Sequence, residues 1–280
     1  LKDRQIINLS FDKYFLIVFL LIMLFYVPTM SEYALSAHII PILAVGLATL
    51  GLNILTGLTG QLSLGTAGFM SVGAFATYNL LLRLPEDLMS LPFALLIGGI
   101  FSGLVGVIFG LPAAKIKGFY LLVSTLAAQY FVWWFFNSYA WFLNYESSGV
   151  VALPPRMYDY WGLGSFLGID MQAYGPRYVL AFLICLGLTY FAFNLMRSNT
   201  GRSFMSVRDR DIAAGVIGIP VVKTKMLAFF ISCFYCGVAG GLYCFAYIGN
   251  VDLMIFEIDR SFTDQFQKSL DLRFQCMQNN

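Results

Sequence analysis

The sequence predicts an all-α polytopic membrane protein of about seven transmembrane helices with a cytoplasmic N-terminus. Three observations carry that prediction. The chain is 59% hydrophobic and only 11% charged, whereas soluble domains carry about 25% charged residues. Its apolar residues gather into runs long enough, or nearly so, to cross a bilayer. Finally, Lys and Arg fall mainly in alternate connections between those runs, as the positive-inside rule requires.

The runs lie at about 14–28, 38–55, 62–82, 91–113, 118–143, 177–196 and 225–248. The first follows Lys2, Arg4 and Lys13 and has Tyr14 and Tyr26 for its interfaces. No small-residue cleavage site follows it, so it reads as a retained helix rather than a signal peptide. The second has the sole histidine, His38, at its outer edge, where an interfacial role is the simplest reading. The third is weakly apolar. The fourth contains Gly99/Gly103 and Gly106/Gly110, a small-xxx-small spacing suited to helix packing. Between the fifth and sixth runs, 144–176 forms an extracytoplasmic loop with Pro154, Pro155 and Trp161. Its GLGSFLG has no following Lys and reads as turns. A second long connection, 197–225, precedes the last run.

Placing the N-terminus inside puts Lys2, Arg4, Lys13, Lys115, Lys117, Arg197, Arg202, Arg208, Arg210, Lys223 and Lys225 on the cytoplasmic side. Up to the end of the last run, the outer side then has only Arg83, Arg156 and Arg177. A shift of one span destroys this asymmetry. The net charge of +2 gives no footprint for nucleic acid; the surroundings implied are membrane lipids.

Several chemistries lack their residues. There is no GxxxxGK[ST] loop to cradle ATP phosphates, and no His, Cys or carboxylate cluster at ligand spacing for a metal. Cys233 and Cys236 form a CxxC inside an apolar helix, where free cysteine behaves as a small apolar filler. A membrane enzyme needs a titratable cluster at one interface, and none is present. No Asp, Glu, Lys or Arg lies well inside any run, although transporters coupled to proton or sodium gradients commonly place such groups there despite a cost of roughly 2.5–3.5 kcal/mol each. The energy for any transport is therefore expected from another subunit.

Two stretches remain to be explained. GLTGQLSLGTAGFMSVGAFATYNL (57–80) gathers Gly57, Gly60, Gly65, Gly68 and Gly73 with Thr59, Gln61, Ser63, Thr66 and Ser71. Lipid leaves such polar groups unpaired, so the segment should face protein or a water-filled path, and its Gly and Thr residues around 57–66 permit a helix break beside a cavity. Two readings stay open: packing alone, or packing combined with a solute path lined by Thr59, Gln61, Ser63, Gly65, Thr66, Gly68 and Ser71. An uncharged lining suits a neutral or zwitterionic solute whose charged ends meet helix termini. The second stretch is GRSFMSVRDRDIAAGVIGIPVVKTK (201–225). Residues 206–217 are helix-compatible, with charge at Arg208, Asp209, Arg210 and Asp211 and small or apolar residues at Ala213, Ala214, Val216 and Ile217. Gly218 and Pro220 then stop the helix. Such a helix fits a groove on a partner protein; the alternative is a solvated basic loop that merely sets topology.

GLNILTGLTGQLSLGTAGFMSVGAFATY, KGFYLLVSTLAAQYFVW and GRSFMSVRDRDIAAGVIGIPVVKTKMLAFFISCFYCGVAGGLY resemble, in order and spacing, three blocks of the permeases of branched-chain amino acid ABC transporters. The likeness is to the LivH/LivM type, nearer LivM, and covers roughly 10–262, taken as one transmembrane domain (1–262). It implies a bacterial inner-membrane permease subunit forming a path for branched-chain amino acids. A second related permease, two ATP-binding cassette subunits and a periplasmic substrate-binding protein would be its partners. ATP would be bound and hydrolysed by those cassette subunits, so this chain is expected to be no enzyme and to hold no cofactor. Segment 203–218 would be the ATPase-coupling helix, with Arg208, Asp209, Asp211, Ala213, Ala214 and Gly218 as coupling residues. Similar permeases carry urea or short-chain amides, the alternative solutes; a passive channel would need no coupling helix.

Two departures from the family pattern stand out. In the broader Glu-Ala-Ala…Gly pattern of ABC permeases, Ala213, Ala214 and Gly218 match, but Ile212 occupies the position of the acid, with Asp211 adjacent. After about Ser261 the family continues with apolar segments, whereas 263–280 is polar. A truncation or frame change relative to the family is the expectation, and the tail's Phe266, Leu270 and Phe274 would allow a weak amphipathic helix.

Overall fold

A computed structural model describes residues 18, 20–29, 31–84, 90–114, 120–146, 150–153, 173–252 and 254–256, with only the backbone described at 29, 112–114, 120, 121, 212 and 254. Residues 20–25 are helical and lead into a 3₁₀ turn, Val27–Thr29. α1 is Glu32–Leu58, interrupted by π-helical turns at Leu35–Ile39 and Ile54–Leu58. Then come α2 (Thr66–Arg83), α3 (Leu91–Ala114) and α4 (Tyr120–Ser138). β1 (Val150–Ala152) precedes α5 (Tyr174–Arg197), α6 (Asn199–Asp209) and α7 (Asp211–Val216). α8 runs over Val221–Ile248, ending in a π-helical turn, and β2 is Asn250–Asp252.

Four of these helices are long and apolar enough to cross a membrane: Glu32–Leu58, Leu91–Leu111, Tyr174–Arg197 and Val221–Ile248. α2 and α4, with 18 and 19 residues, fall outside that set. The first predicted run, 14–28, is described only in part, and the tail 263–280 lies outside the described residues, as does the GLGSFLG stretch. The charged residues of the long described helices, such as Glu32, Arg83, Arg197 and Lys225, lie at or near helix ends.

The weak hydropathy of α2 has a physical reason. Its Ala67, Gly68, Phe69, Ser71, Val72, Gly73, Ala74 and Phe75 are all buried, so its surroundings are protein rather than lipid. α8 is the other central helix: 83% of its apolar window is buried, against 28% for α5. Small residues let these helices close on one another. A Cβ at Gly73 would overlap the backbone of Gly237, and one at Gly240 would overlap that of Met70. α3 seals the third side. The sites of Gly99, Gly103, Gly106 and Gly110 receive Phe234, Phe230, Cys233 and Phe229 of α8, which realises the predicted packing role of this glycine series. One hydroxyl joins all three helices: Ser102 Oγ lies 2.7 Å from Phe69 O and 3.0 Å from Cys233 O. Cys185, Cys233, Cys236 and Cys244 are buried and free, in keeping with filler roles.

Contacts sort the helix ends into two groups. At one end, Arg83 donates to Trp141 O at 2.8 Å and stacks 3.5 Å over the Trp141 ring. Asn79 reaches Phe142 O at 3.2 Å there, and β1 pairs antiparallel with β2. Tyr178 OH donates to Met23 O at 2.8 Å, joining α5 to the leading segment. At the opposite end, Arg208 meets Gly57 and Lys225 meets Asp211. The 57–66 stretch and the basic 197–225 loop thus share one end of the bundle.

The single helix expected over 206–217 is corrected to two. Arg210 is extended (φ −155°, ψ 103°) and separates α6 from α7. α6 seats Phe204 and Val207 in the bundle, α7 seats Ala214, and Asp211 pairs with Lys225 of α8. These anchors fall at i, i+3, i+7 and i+10, a spacing that a continuous helix would also place on one face, so spacing alone does not reveal the division. The third run is likewise corrected: residues 60–65 are non-helical and α2 begins at Thr66, so Gln61 and Ser63 precede the helix.

Candidate functional site

α1 and α2 are joined by a built break. Thr59 Oγ1 donates to Leu55 O at 2.6 Å, Gly60 enters the left-handed region (φ +68°), and Gln61 N–H turns back to Leu55 O at 3.3 Å. A glycine in this conformation is a common helix terminator because it lacks a Cβ. Farther on, Leu64 N–H donates to Thr125 Oγ1 of α4 at 3.1 Å. Gly65 then lies against the same helix: a Cβ there would stand 2.5 Å from Thr125 O. Gly68 faces Gln129, and Ser71 Oγ donates to Gly68 O at 2.7 Å.

The predicted path residues therefore occupy one continuous region but differ in setting. Thr59, Ser63, Gly65, Gly68 and Ser71 are buried; Gln61 and Thr66 are half-buried. Gln61 is the distinctive member. Its Nε2 is buried and meets no hydrogen-bond partner among the described residues, a condition that costs free energy in a membrane interior. Sequence reasoning missed Thr125 and Gln129, both buried on α4 beside the break. Their separation by four residues placed two polar groups on one helix face, a signal present in an otherwise apolar run. Asn53, exposed near the end of α1, was missed as well; its Oδ1 lies 2.8 Å from where a Cβ of Gly57 would stand.

The residues of the 197–225 loop divide into anchors and a free tip. Ser198 caps α6 by accepting from Gly201 N–H at 3.2 Å. Arg208 Nη1 donates to Gly57 O at 2.8 Å, and its Nε contacts Asp209 Oδ1 at 3.3 Å. Asp211 is held by Lys225, and Ala214 is buried while Ala213 is exposed. Beyond them, Val216 and Ile217 are 84% and 80% exposed, the largest exposures among the described large apolar residues. Gly218 has φ +93° and open space around its Cβ position. Its conformation, rather than crowding within the chain, is what calls for glycine. The Ile212 side chain lies outside the described residues. Among the described residues no three His, Cys, Asp or Glu side chains gather as a metal-ligand set.

Residues 34–261 match the family described as the branched-chain amino acid transport system, permease component. The chain belongs to that permease family. Two relatives are the high-affinity branched-chain amino acid transport system permease proteins LivM of Salmonella typhimurium strain LT2 and Escherichia coli strain K12. Each is 28% identical to this chain, over 69% of this chain and 48% of the relative. The chain spans about half the length of the curated relatives it matches. No solved structure gives a significant match. The matched region of this permease-family chain includes both the break at 60–65 and the exposed tip at Val216–Ile217.

Proposed function

We propose that this chain is the LivM-type permease subunit of an ATP-driven importer in a bacterial inner membrane, forming with a second, related permease the path for branched-chain amino acids. In this reading it crosses the membrane about seven times from a cytoplasmic N-terminus. Two ATP-binding cassette subunits engage the 197–225 loop and hydrolyse ATP, and a periplasmic binding protein delivers solute to the opposite face. The observation that carries the reading is that the family match spans both an uncharged polar break and a basic loop at the same bundle end.

Each part supplies one element of the mechanism. The exposed Val216–Ile217 tip offers an apolar contact for an ATPase groove, with α6 and Ala214 anchoring its base. Residues 59–66, with Ser71 and Gly68 behind them, form the junction where solute passes or is stopped. Gln61 supplies an amide donor able to meet a carboxylate, and the hydroxyl oxygens along 59–66 can accept from an ammonium. A zwitterion suits such a lining, whereas a charged solute would need a counter-charge there.

The test is ATP hydrolysis by the assembled, reconstituted complex in the presence of binding protein loaded with leucine, isoleucine or valine, or offered urea or acetamide. Stimulation by the branched-chain amino acids, with the cassette subunit copurifying, is the expected result. Stimulation only by urea or acetamide would transfer the assignment to the short-amide permeases. Solute flux with no copurifying ATPase would make the chain a passive channel.

A further inference from the structure

We propose that Arg208 is a positioning residue that ties the cytoplasmic loop to the break after α1, so that displacement of α6 is passed to residues 57–61. The inference rests on the coupling reading above and redirects Arg208 from the ATPase towards its own membrane domain. α6 is a firm base for such a tie, because Phe204 and Val207, about one turn apart, are both buried. From its last turn, Arg208 makes two contacts with the end of α1. Its Nη1 donates to Gly57 O at 2.8 Å, within the π-helical turn Ile54–Leu58. A helix C-terminus concentrates carbonyl oxygens and partial negative charge, which favours a guanidinium. The aliphatic stem covers Gly60: Cγ lies 3.1 Å, and Cβ 3.9 Å, from where a Cβ of Gly60 would stand. Gly60 thus leaves room for the stem while supplying the left-handed turn. Asp209 steadies the fork through Nε. On the far side of the break, Leu64 is tied to Thr125, which leaves Gln61 between a held end and a driven one.

The Cβ separation at positions 60 and 208 falls within the span of about 3.5–4.5 Å that a disulfide requires. The first experiment therefore places G60C and R208C together in the assembled complex, with the native cysteines replaced, and oxidises it mildly. The reduced pair, which lacks the guanidinium, should show maximal uptake lowered about tenfold; the crosslink, forming in the resting complex and replacing the tie covalently, should recover part of that uptake, and a reductant should remove the recovery. The second compares Arg208→Met, which retains a stem without the donor, with Arg208→Lys. The methionine variant should lower the maximal uptake rate about tenfold at unchanged KM and membrane level, with partial recovery in the lysine variant. A crosslinked complex that transports like the reduced one overturns the inference, as does an assembled complex that fails to crosslink. A methionine variant that merely loses membrane level would assign Arg208 to folding instead. If the unmodified complex itself shows no stimulated hydrolysis, the coupling reading falls and this inference falls with it.

Discussion

Gly65 and Gly46 show how differently one residue type can be used within one chain. A Cβ at Gly65 would press on the Thr125 carbonyl, whereas nothing lies within 4 Å of one at Gly46 in α1. Gly65→Ala is expected to cost about 1–3 kcal/mol, because backbone must move to admit it. Gly46→Ala should be neutral or stabilising by up to about 1 kcal/mol through helix propensity. Thermal unfolding of the two variants in detergent, read side by side, checks both signs. Gln61 separates path from packing more cleanly than Gly65 does. Its amide Nε2 is already without a partner, so Gln61→Leu removes no hydrogen bond from that nitrogen and should leave thermal stability unchanged or higher. Uptake should fall nonetheless if this amide meets solute. Normal uptake by Gln61→Leu would remove it from the path.

α2 and the α6–α7 pair carry the lesson at the scale of elements. The 57–80 stretch was legible as a segment that lipid would not accept, because its glycines and hydroxyls have no partners in hydrocarbon. Its central position follows from small residues on both sides of the contact: Gly73 admits the backbone of Gly237, and Gly240 of α8 admits that of Met70. The break at 60–65 was legible only as a possibility; its placement depends on Thr125, some 61 residues away from Leu64. The division at Arg210 was not legible, since no Gly or Pro lies between Ser206 and Asp211 to stop a helix there. It is seen only in the fold, where Arg210 is extended between a buried Phe204 and a buried Ala214. The consequence is that α7, not the whole segment, presents a free apolar tip. Val216→Ser with Ile217→Ser should therefore reduce recovery of the cassette subunit with the tagged permease by about tenfold, at unchanged permease level, because both side chains are solvated in the chain alone. Full recovery would place the docking surface elsewhere.

At the scale of the whole molecule, contacts and charge give one consistent arrangement. Arg83, Trp141, β1 and β2 gather at one end, and Gly57, Arg208, Asp211 and Lys225 at the other. The second end includes the loop with six basic residues, Arg197, Arg202, Arg208, Arg210, Lys223 and Lys225, which the positive-inside rule assigns to the cytoplasm. Single cysteines at exposed Ser206 and Tyr145 should accordingly differ in intact cells: an impermeant thiol reagent should label position 145 and not 206, in a background without native cysteines. Family membership was legible from three blocks in order, and the last run, 225–248, ends where α8 does; the ends of α1 were not legible, because it extends through π-helical turns that hydropathy does not mark. In the function proposed above, this chain moves branched-chain amino acids only when driven by a partner's ATP hydrolysis. The most direct measurement is leucine uptake into vesicles containing the assembled complex, with loaded binding protein at the face bearing Trp141 and ATP supplied at the face bearing Arg208. Leucine should accumulate above its external concentration and stop doing so when ATP is withheld; equilibration to equal concentrations, indifferent to ATP, would overturn the proposed function.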